Sequence, residues 1–390
     1  MAIDIQAAQV PGVARGKRDR LLFLDALRGL AALWVVMYHM VLIPAQPLAL
    51  PRWAEKIVQK GGMGVSLFFV VSSFSLYYTM PLRQKEPSPW SSFYIHRFFR
   101  IAPLFYVVMV AYLVRDKLMY DHQHGLMDIL TSATFTFNFL PQGQQGWVWA
   151  SWTLGVEMIF YALFPIFYRF ARNKYQAIAL TLGMLVLWTA IQGLSAYIPS
   201  DPKSQELFLQ WSFLKYLVIF GCGAIAFHCL VENGRIVEKS RDTGVLLLMI
   251  ALTLWVALVN GWLPSTLFGN PYYWQGPIFL FLVLGAAWAP IRLIVNRFSI
   301  YLGRISYSLY LCHPTLVLLL SPVYAWAYRL QLGLTGSFLV CALITLVVAI
   351  TVSEITYRLV EDPGIKLGKV VNRWLREGRE ADSKTATPSA

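Results

Sequence analysis

Three ionisable residues lie inside the first long apolar run, FLDALRGLAALWVVMYHMVLI: they are Asp25, Arg28 and His39. A helix turns about 100° and rises about 1.5 Å per residue, so these side chains lie within about 60° of one another on one face. Arg28 and His39 are then about 16 Å apart along the axis. A charge at this depth in a bilayer costs a few kcal/mol or more, so chains that keep one usually give it a partner or a function.

Two interpretations of this polar stripe are open. In the first, Asp25 and Arg28 form an ion pair at the membrane interface and His39 bonds a neighbouring helix. In the second, the stripe belongs to a site, where an imidazole takes up a proton and a guanidinium binds an anion. Either interpretation would serve for a single residue, but three residues on one face favour a site.

Two other apolar runs contain ionisable residues. Glu157 lies about ten residues into the run that contains ASWTLGVEMIFYALFP, a depth at which an unpaired carboxyl group takes up a proton, so we expect it to have a partner. His313 lies in GRISYSLYLCHPTLV, directly before Pro314 and near Tyr307. The favoured interpretation there is a kinked helix in which His313 bonds a freed carbonyl, with a supporting role at a site as the alternative.

Arg97 and Arg100 are one helical turn apart in FYIHRFFRIAPLF. Positive charge at the cytosolic end of a span is sufficient to explain them. Two guanidinium groups at this spacing also suit a phosphorylated ligand that arrives from the cytosol, because each can bind phosphate oxygens in a bidentate manner. The composition does not choose between these interpretations.

In SEITYRLVEDPG, Glu354, Arg358 and Glu361 follow each other at i, i+4 and i+7. In a regular helix they share one face. The favoured interpretation is a self-contained ion pair that anchors the end of the last span.

The composition indicates an integral membrane protein, because 57% of the 390 residues are hydrophobic and only 14% are charged, whereas a soluble domain is about a quarter charged. We predict an all-α polytopic fold with about ten transmembrane helices and one short re-entrant or interfacial segment, residues 126–141. The predicted spans are 21–43, 62–80, 98–114, 147–168, 175–194, 212–230, 243–262, 276–291, 303–325 and 336–359.

The distribution of Lys and Arg predicts the orientation. The segments on the side of the N-terminus hold 24 of these residues and the opposite segments hold 7, so both termini are expected in the cytosol. The net charge of +13 is explained in this way and does not indicate a nucleic-acid partner. The predicted domains are a basic cytosolic tail (1–20), a transmembrane domain (21–363) and a polar cytosolic tail (364–390) whose last residues have a disordered composition.

Six segments in this order resemble the acyltransferase-3 family of membrane-bound acyltransferases. They are LDALRGLAALWVVMYH, GGMGVSLFFVVSSFSL, RFFRIAPLF, WTLGVEMIFY, GRISYSLYLCHP and RLVEDP, within residues 21–363. Each motif alone is weak, but six in order are specific. Two departures stand out: Ser73 replaces a glycine that is usual in the family, and VEDP replaces the commoner VERP.

The resemblance implies a ten-helix enzyme of the cell (inner) membrane that moves an acyl group, usually acetyl, from cytosolic acyl-CoA to a hydroxyl. The acceptor is typically a sugar of a lipopolysaccharide, exopolysaccharide or peptidoglycan precursor. The resemblance makes His39 the catalytic residue and places Arg28, Arg97 and Arg100 on the acyl-CoA side. Acetyl-CoA is then a donor substrate, and no permanently bound cofactor or metal is implied. Expected partners are the glycan or lipid-linked acceptor, membrane lipids and polysaccharide-synthesis machinery.

The residues and the resemblance together suggest a mechanism. Arg97 and Arg100 hold the donor phosphates, Arg28 neutralises charge, and His39 takes the proton from the attacking hydroxyl. Glu157 is expected to orient His39 or stabilise its imidazolium, as a carboxylate does in hydrolase triads. Asp25, His313, Tyr307, Glu354 and Arg358 are assigned supporting roles.

Two other functions fit some of the same residues. A proton-coupled transporter of a glycan or lipid-linked intermediate also needs intramembrane His, Glu and Arg, but it would release no free CoA. If the protein is instead a structural partner in a polysaccharide-synthesis complex, loss of His39 would have no chemical effect.

Overall fold

The structure, a computed structural model, describes residues 21–45, 48–140, 142–195, 197, 201–232, 234–264 and 270–385. For residues 379–385 only the backbone is described. The predicted tail 1–20 and the last five residues of the predicted tail 364–390 lie outside these ranges.

The described residues are almost entirely helical, as the apolar runs predict. The helices are α1 (Leu22–Leu42), α2 (Arg52–Gln59), α3 (Met63–Arg83), α4 (Pro89–Tyr120), α5 (Leu126–Ala133), α6 (Ser151–Phe170), α7 (Lys174–Ser195), α8 (Pro202–Trp211), α9 (Phe213–Leu230), α10 (Arg241–Val259), α11 (Gln275–Trp288), α12 (Arg297–Arg304), α13 (Ser306–Arg329), α14 (Gly333–Thr356) and α15 (Asp362–Thr385). Short 3₁₀ helices cover Phe137–Phe139 and Pro271–Trp274, and a π-helical turn covers Tyr357–Glu361. A two-stranded antiparallel hairpin, β1 (Val231–Glu232) and β2 (Arg235–Ile236), follows α9.

The all-α polytopic fold is confirmed. Within the described ranges, nine helical stretches are long and apolar enough to cross a membrane, which is close to the ten that the sequence predicts. The difference is the predicted span 276–291, where α11 has only 14 residues and falls short of the roughly 20 needed to cross the hydrocarbon layer. It packs against α3, α9 and α10.

Residues 126–140, the described part of the predicted segment 126–141, contain α5, of 8 residues, and the 3₁₀ helix Phe137–Phe139. Neither is long enough to cross a bilayer, as expected for a re-entrant or interfacial piece. Asn138 fixes the segment to the start of α9: its side-chain amide donates to the carbonyl of Trp211 over 3.1 Å, and its side-chain oxygen accepts from the backbone N–H of Phe213 over 3.1 Å.

Glycines allow α1 to lie close to its neighbours. A Cβ on Gly303 of α12 would lie 1.9 Å from the carbonyl oxygen of Asp25, and one on Gly64 of α3 would lie 2.6 Å from that of Ala31. Small residues of this kind bring membrane helices into backbone contact. Helix α1 consequently contacts α3, α12 and α13, and these helices carry much of the site described below.

The chain after the last span is helical up to Thr385, so the expected disorder of its polar end is wrong for the described part. Helix α15 packs along the first half of α4, where a Cβ on Gly364 would lie 2.7 Å from the Pro103 side chain and one on Gly368 would lie 2.6 Å from Phe99. Contact with α4 provides the buried face of this helix.

Candidate active site

A cavity lies inside the bundle between α1, α3, α4, α6 and α13; we call it the inner chamber. Its empty space is about 690 Å³ when the part open to solvent is counted. Its polar lining consists of Arg28, Ser72, Arg97, Arg100, Thr153, Glu157, Tyr161, Ser306, Tyr307 and Tyr310, and its apolar lining consists of Val65, Phe68, Phe69, Ile101 and Leu154.

A second cavity, the vestibule, adjoins the inner chamber at the end of the bundle where α1 begins. It contains about 1190 Å³ on the same measure. Both cavities are lined by Arg28, Arg97 and Arg100, which we call the arginine collar. The three arginines that the sequence singled out are thus brought together from α1 and α4, at the junction of the two cavities.

The collar arginines differ in their partners. Arg28 forms a 3.3 Å ion pair with Asp25 and donates to the Ser75 hydroxyl over 2.6 Å, so the interpretation of Asp25 and Arg28 as an ion pair is confirmed. Arg100 lies 3.9 Å from a carboxylate oxygen of Glu361, which is too long for a hydrogen bond.

Arg97 has no carboxylate within 4 Å among the described residues. Its guanidinium lies near the rings of Phe93 and Tyr161, at 5.9 and 5.6 Å from their centroids, and its buried Nε has no hydrogen-bond partner in the same ranges. Of the three collar arginines, Arg97 therefore has the most unused capacity to bind an anion.

Glu157 lies in the wall of the inner chamber and has the partners that the sequence led us to expect. The Ser72 hydroxyl donates to it over 2.6 Å, and the Tyr161 hydroxyl donates to the same carboxylate oxygen. None of the described hydrogen bonds joins Glu157 to His39, so this geometry does not provide the orienting contact expected of a triad carboxylate.

His39 instead contacts His313. Nδ1 of His39 lies 3.0 Å from Nε2 of His313 and 2.9 Å from the carbonyl oxygen of Val35. Nδ1 of His313 lies 2.6 Å from the carbonyl oxygen of Tyr310, the carbonyl that Pro314 leaves without a helical donor. The interpretation of His313 as a histidine bonded to a freed carbonyl is therefore confirmed, and the contact with His39 is additional.

His39 does not line either of the two cavities. Two aromatic rings connect the inner chamber to His39. Tyr310 lines the chamber and its ring centroid is 5.7 Å from that of His313, whose centroid is 4.8 Å from that of His39. Arg28 and His39, expected on one stripe, therefore have different neighbours: Arg28 bonds α3 and His39 contacts α13.

The predicted ion pair of Glu354 and Arg358 is present at 2.5 Å, but it is not self-contained. Glu354 also accepts from the Tyr301 hydroxyl over 3.0 Å and lies 3.8 Å from Arg304. Burial raises the pKa of the Tyr301 phenol, and its hydrogen bond to Glu354 acts in the same direction. These contacts tie α12 to the end of α14.

Glu361 does not share the face of Arg358. Its side chain is fully buried whereas that of Arg358 is 71% exposed, and it accepts from the Ser308 hydroxyl over 2.7 Å. The cause is the π-helical turn Tyr357–Glu361, in which the i→i+5 pattern changes the angle between successive side chains. The shared face predicted for Glu361 is therefore wrong.

Tyr307 has a defined position, because its hydroxyl donates to the carbonyl of Ile101 over 2.7 Å and thereby ties α13 to α4. Several other residues that line or support the chamber have no role predicted from the sequence. Tyr161 could have been found from its i+4 spacing to Glu157, and Ser72 and Ser75 from their i+3 spacing on α3. Glu361 gave no such signal, since a π turn is not apparent from the sequence.

Comparison with known proteins shows which proteins this chain resembles. A family model described as an acyltransferase domain matches residues 21–354. A putative acetyltransferase of Acidianus two-tailed virus is 25% identical over 74% of this chain and 80% of its own length. The peptidoglycan O-acetyltransferase OatA of Listeria monocytogenes is 23% identical over 88% of this chain and 56% of its own. A putative O-acetyltransferase of Staphylococcus aureus is 22% identical over 90% and 58%, respectively.

The chain thus spans little more than half the length of the bacterial relatives. No solved structure gives a significant match.

Proposed function

Since this chain belongs to the acyltransferase family whose model covers residues 21–354, we propose that it moves an acetyl group from acetyl-CoA to a hydroxyl of a glycan precursor. The observation that carries this proposal is the arginine collar, because it places three cationic side chains in the shared lining of the vestibule and the inner chamber. The relatives named as O-acetyltransferases support transfer to oxygen. The OatA relative acts on peptidoglycan, which supports a glycan acceptor.

The collar supplies the donor site. Phosphate groups of acetyl-CoA bind Arg97 and Arg100 from the vestibule, where guanidinium groups can contact phosphate oxygens in pairs. Arg28 adds a third positive charge, fixed by Asp25 and Ser75. The uncharged arm of the donor then extends into the inner chamber with its thioester towards Tyr310.

His39 is the general base. It takes the proton of the acceptor hydroxyl as that oxygen attacks the thioester carbonyl. The bond between carbonyl carbon and sulfur breaks, the acetyl ester forms, and the proton on His39 passes to the leaving CoA thiolate. Because the rings of Tyr310 and His313 separate His39 from the chamber, the acceptor reaches His39 from outside the chamber wall.

The orientation follows from the charge distribution. The collar lies at the end of the bundle where α1 begins, and the segments predicted on that side hold 24 of the Lys and Arg residues. We place this end in the cytosol of the cell that bears the protein in its inner membrane. Acetyl-CoA then enters from the cytosol and the acceptor lies near the outer half.

The test is acetyl transfer by purified protein in liposomes, with membranes of a deletion strain as the source of acceptor. We expect free CoA thiol and alkali-labile label from [¹⁴C]acetyl-CoA with the wild type, and loss of both with His39→Ala. His228→Ala is the control, since His228 is also a partly buried histidine bonded to a carbonyl, at 2.8 Å from Ala171.

A His39→Ala protein that inserts normally and keeps full transfer would contradict the proposal. A wild-type protein that moves a glycan intermediate without releasing CoA would favour a transporter instead. Mass spectrometry of surface glycans from the deletion strain, with and without the gene restored, identifies the acetylated sugar.

A further inference from the structure

We propose that His313 is a positioning residue that holds His39 in one tautomer and so keeps the Nε2 lone pair of His39 free to act as the base. The proposal deepens the proposed function and rests on it. It is carried by the contact between two imidazoles whose remaining partners are both carbonyl oxygens.

A backbone carbonyl determines which nitrogen of His313 carries the hydrogen. Its Nδ1 lies 2.6 Å from the carbonyl oxygen of Tyr310, and a carbonyl can only accept, so Nδ1 carries the hydrogen. His313 is fully buried, and a neutral ring is favoured there because an unpaired charge would be costly. A neutral imidazole protonated at Nδ1 presents a lone pair at Nε2.

That lone pair is one of two acceptors that together determine the tautomer of His39. Nδ1 of His39 faces two acceptors, Nε2 of His313 at 3.0 Å and the carbonyl oxygen of Val35 at 2.9 Å. It therefore carries the hydrogen and shares it between them. Nε2 of His39 is left with the lone pair, and it makes none of the hydrogen bonds found in the described part of the chain.

This arrangement assigns a destination for the proton of the acceptor. The hydroxyl proton moves to Nε2 of His39 as the oxygen attacks, and the imidazolium keeps its Nδ1 hydrogen between Val35 and His313. The two acceptors stabilise this cation. The proton then leaves from Nε2 to the thiolate, which restores the starting tautomer.

Pro314 explains why a histidine suits position 313. The proline has no N–H and leaves the carbonyl of Tyr310 without its helical donor, and Nδ1 of His313 replaces that donor. The helix therefore holds the His313 ring at one end while the other end meets His39. A side chain that only filled space would leave both His39 and the carbonyl without this contact.

Three substitutions separate positioning from packing. The amide of His313→Gln reaches the place of Nε2 and can accept from His39, whereas the amide of His313→Asn reaches only the place of Nδ1 and can satisfy Tyr310. His313→Ala does neither. The readouts are kcat and the KM for acetyl-CoA, with folded protein measured by size-exclusion chromatography, and with His228→Gln as the control.

We expect His313→Ala to lower kcat by about 100-fold or more, as loss of an oriented base does. The KM for acetyl-CoA stays within about twofold, because the collar lies on α1 and α4. His313→Gln regains at least about tenfold in kcat over the alanine variant, and His313→Asn stays near the alanine value.

Equal kcat for all three variants, or better recovery with Asn than with Gln, overturns the positioning role while acetyl transfer by the wild type leaves the proposed function standing. A loss of transfer that matches a loss of folded protein in all three variants also overturns it. If the wild type itself transfers no acetyl group, both proposals fail.

Discussion

The replacement of Arg97 by methionine is the most direct test of the arginine collar. Methionine has a similar length and can occupy the space near Phe93 and Tyr161, but it carries no charge. Among the described residues no carboxylate lies within 4 Å of Arg97, so the substitution breaks no ion pair. We expect acetyl-CoA binding to weaken while the protein remains folded.

The size of the effect follows from the contact that is lost. A hydrogen bond to a charged group contributes about 1.5–3 kcal/mol, and about 1.4 kcal/mol corresponds to a tenfold change in an equilibrium constant. The Kd for acetyl-CoA should therefore rise by about 10-fold to 100-fold. The unfolding temperature without ligand should stay the same or rise, because a partly buried charge that forms no ion pair is removed.

The assay measures [³H]acetyl-CoA binding to purified protein and the unfolding temperature of the same samples without ligand. Arg115→Met is the matched control: Arg115 pairs with Asp116 at 2.6 Å and lies 3.9 Å from the Tyr112 ring centroid, so it should lose stability and keep donor affinity. An Arg97→Met protein that binds acetyl-CoA as tightly as the wild type would refute the assignment of the collar. So would a fall in unfolding temperature as large as that of Arg115→Met.

Two further predictions concern close packing and hydrogen bonding within the bundle. Ser72→Ala removes a hydrogen-bond donor to Glu157 and should lower both acetyl transfer and the unfolding temperature. Ser73→Ala removes a buried hydroxyl that has no partner in the described ranges. The free energy of unfolding of this second variant should stay equal or rise by about 1 kcal/mol. A larger loss with Ser73→Ala would contradict this order. Gly303→Ala should prevent accumulation of folded protein, because its Cβ would lie 1.9 Å from the carbonyl oxygen of Asp25. Gly183→Ala is the control: its Cβ would have nothing within 4 Å, and the variant should be stabilised by about 0.5–1 kcal/mol. Normal yield of Gly303→Ala in membranes would refute the close contact of α1 and α12.

The lengths of the apolar runs predicted most of the fold. A chain that crosses a bilayer must satisfy its backbone hydrogen-bonding groups internally, so each long apolar run forms a helix. The lengths predicted the bounds less well where helices leave the hydrocarbon layer. The predicted span 98–114 covers only the middle of α4, which begins at Pro89 and ends at Tyr120. Helix α4 also packs against α15. The start of the predicted span 303–325 belongs to α12, a separate helix that packs against α1.

Residue spacing predicted contacts within a helix and missed those between helices. The pair Glu354 and Arg358 could be predicted because both lie one turn apart on the same helix. The contact of His39 with His313 could not, since 274 positions separate them and their juxtaposition depends on how α13 packs against α1. The contacts of Glu157 could not be predicted for the same reason: its hydrogen bonds go to Ser72 and Tyr161, and another helix supplies the group that meets His39.

The π turn before α15 shows how one local departure from helix geometry affects the charge balance of the collar. A regular helix would place Glu361 on the face of Arg358, but the turn moves its carboxylate into the protein, where one oxygen accepts from Ser308 and the other lies 3.9 Å from Arg100. This distance lets Glu361 attract Arg100 without engaging its N–H groups in a bidentate pair. Arg100 therefore keeps its donors available for an anion. Arg97, which has no carboxylate within 4 Å in the described residues, does the same, and these free donors are what the proposed binding of a phosphorylated donor requires.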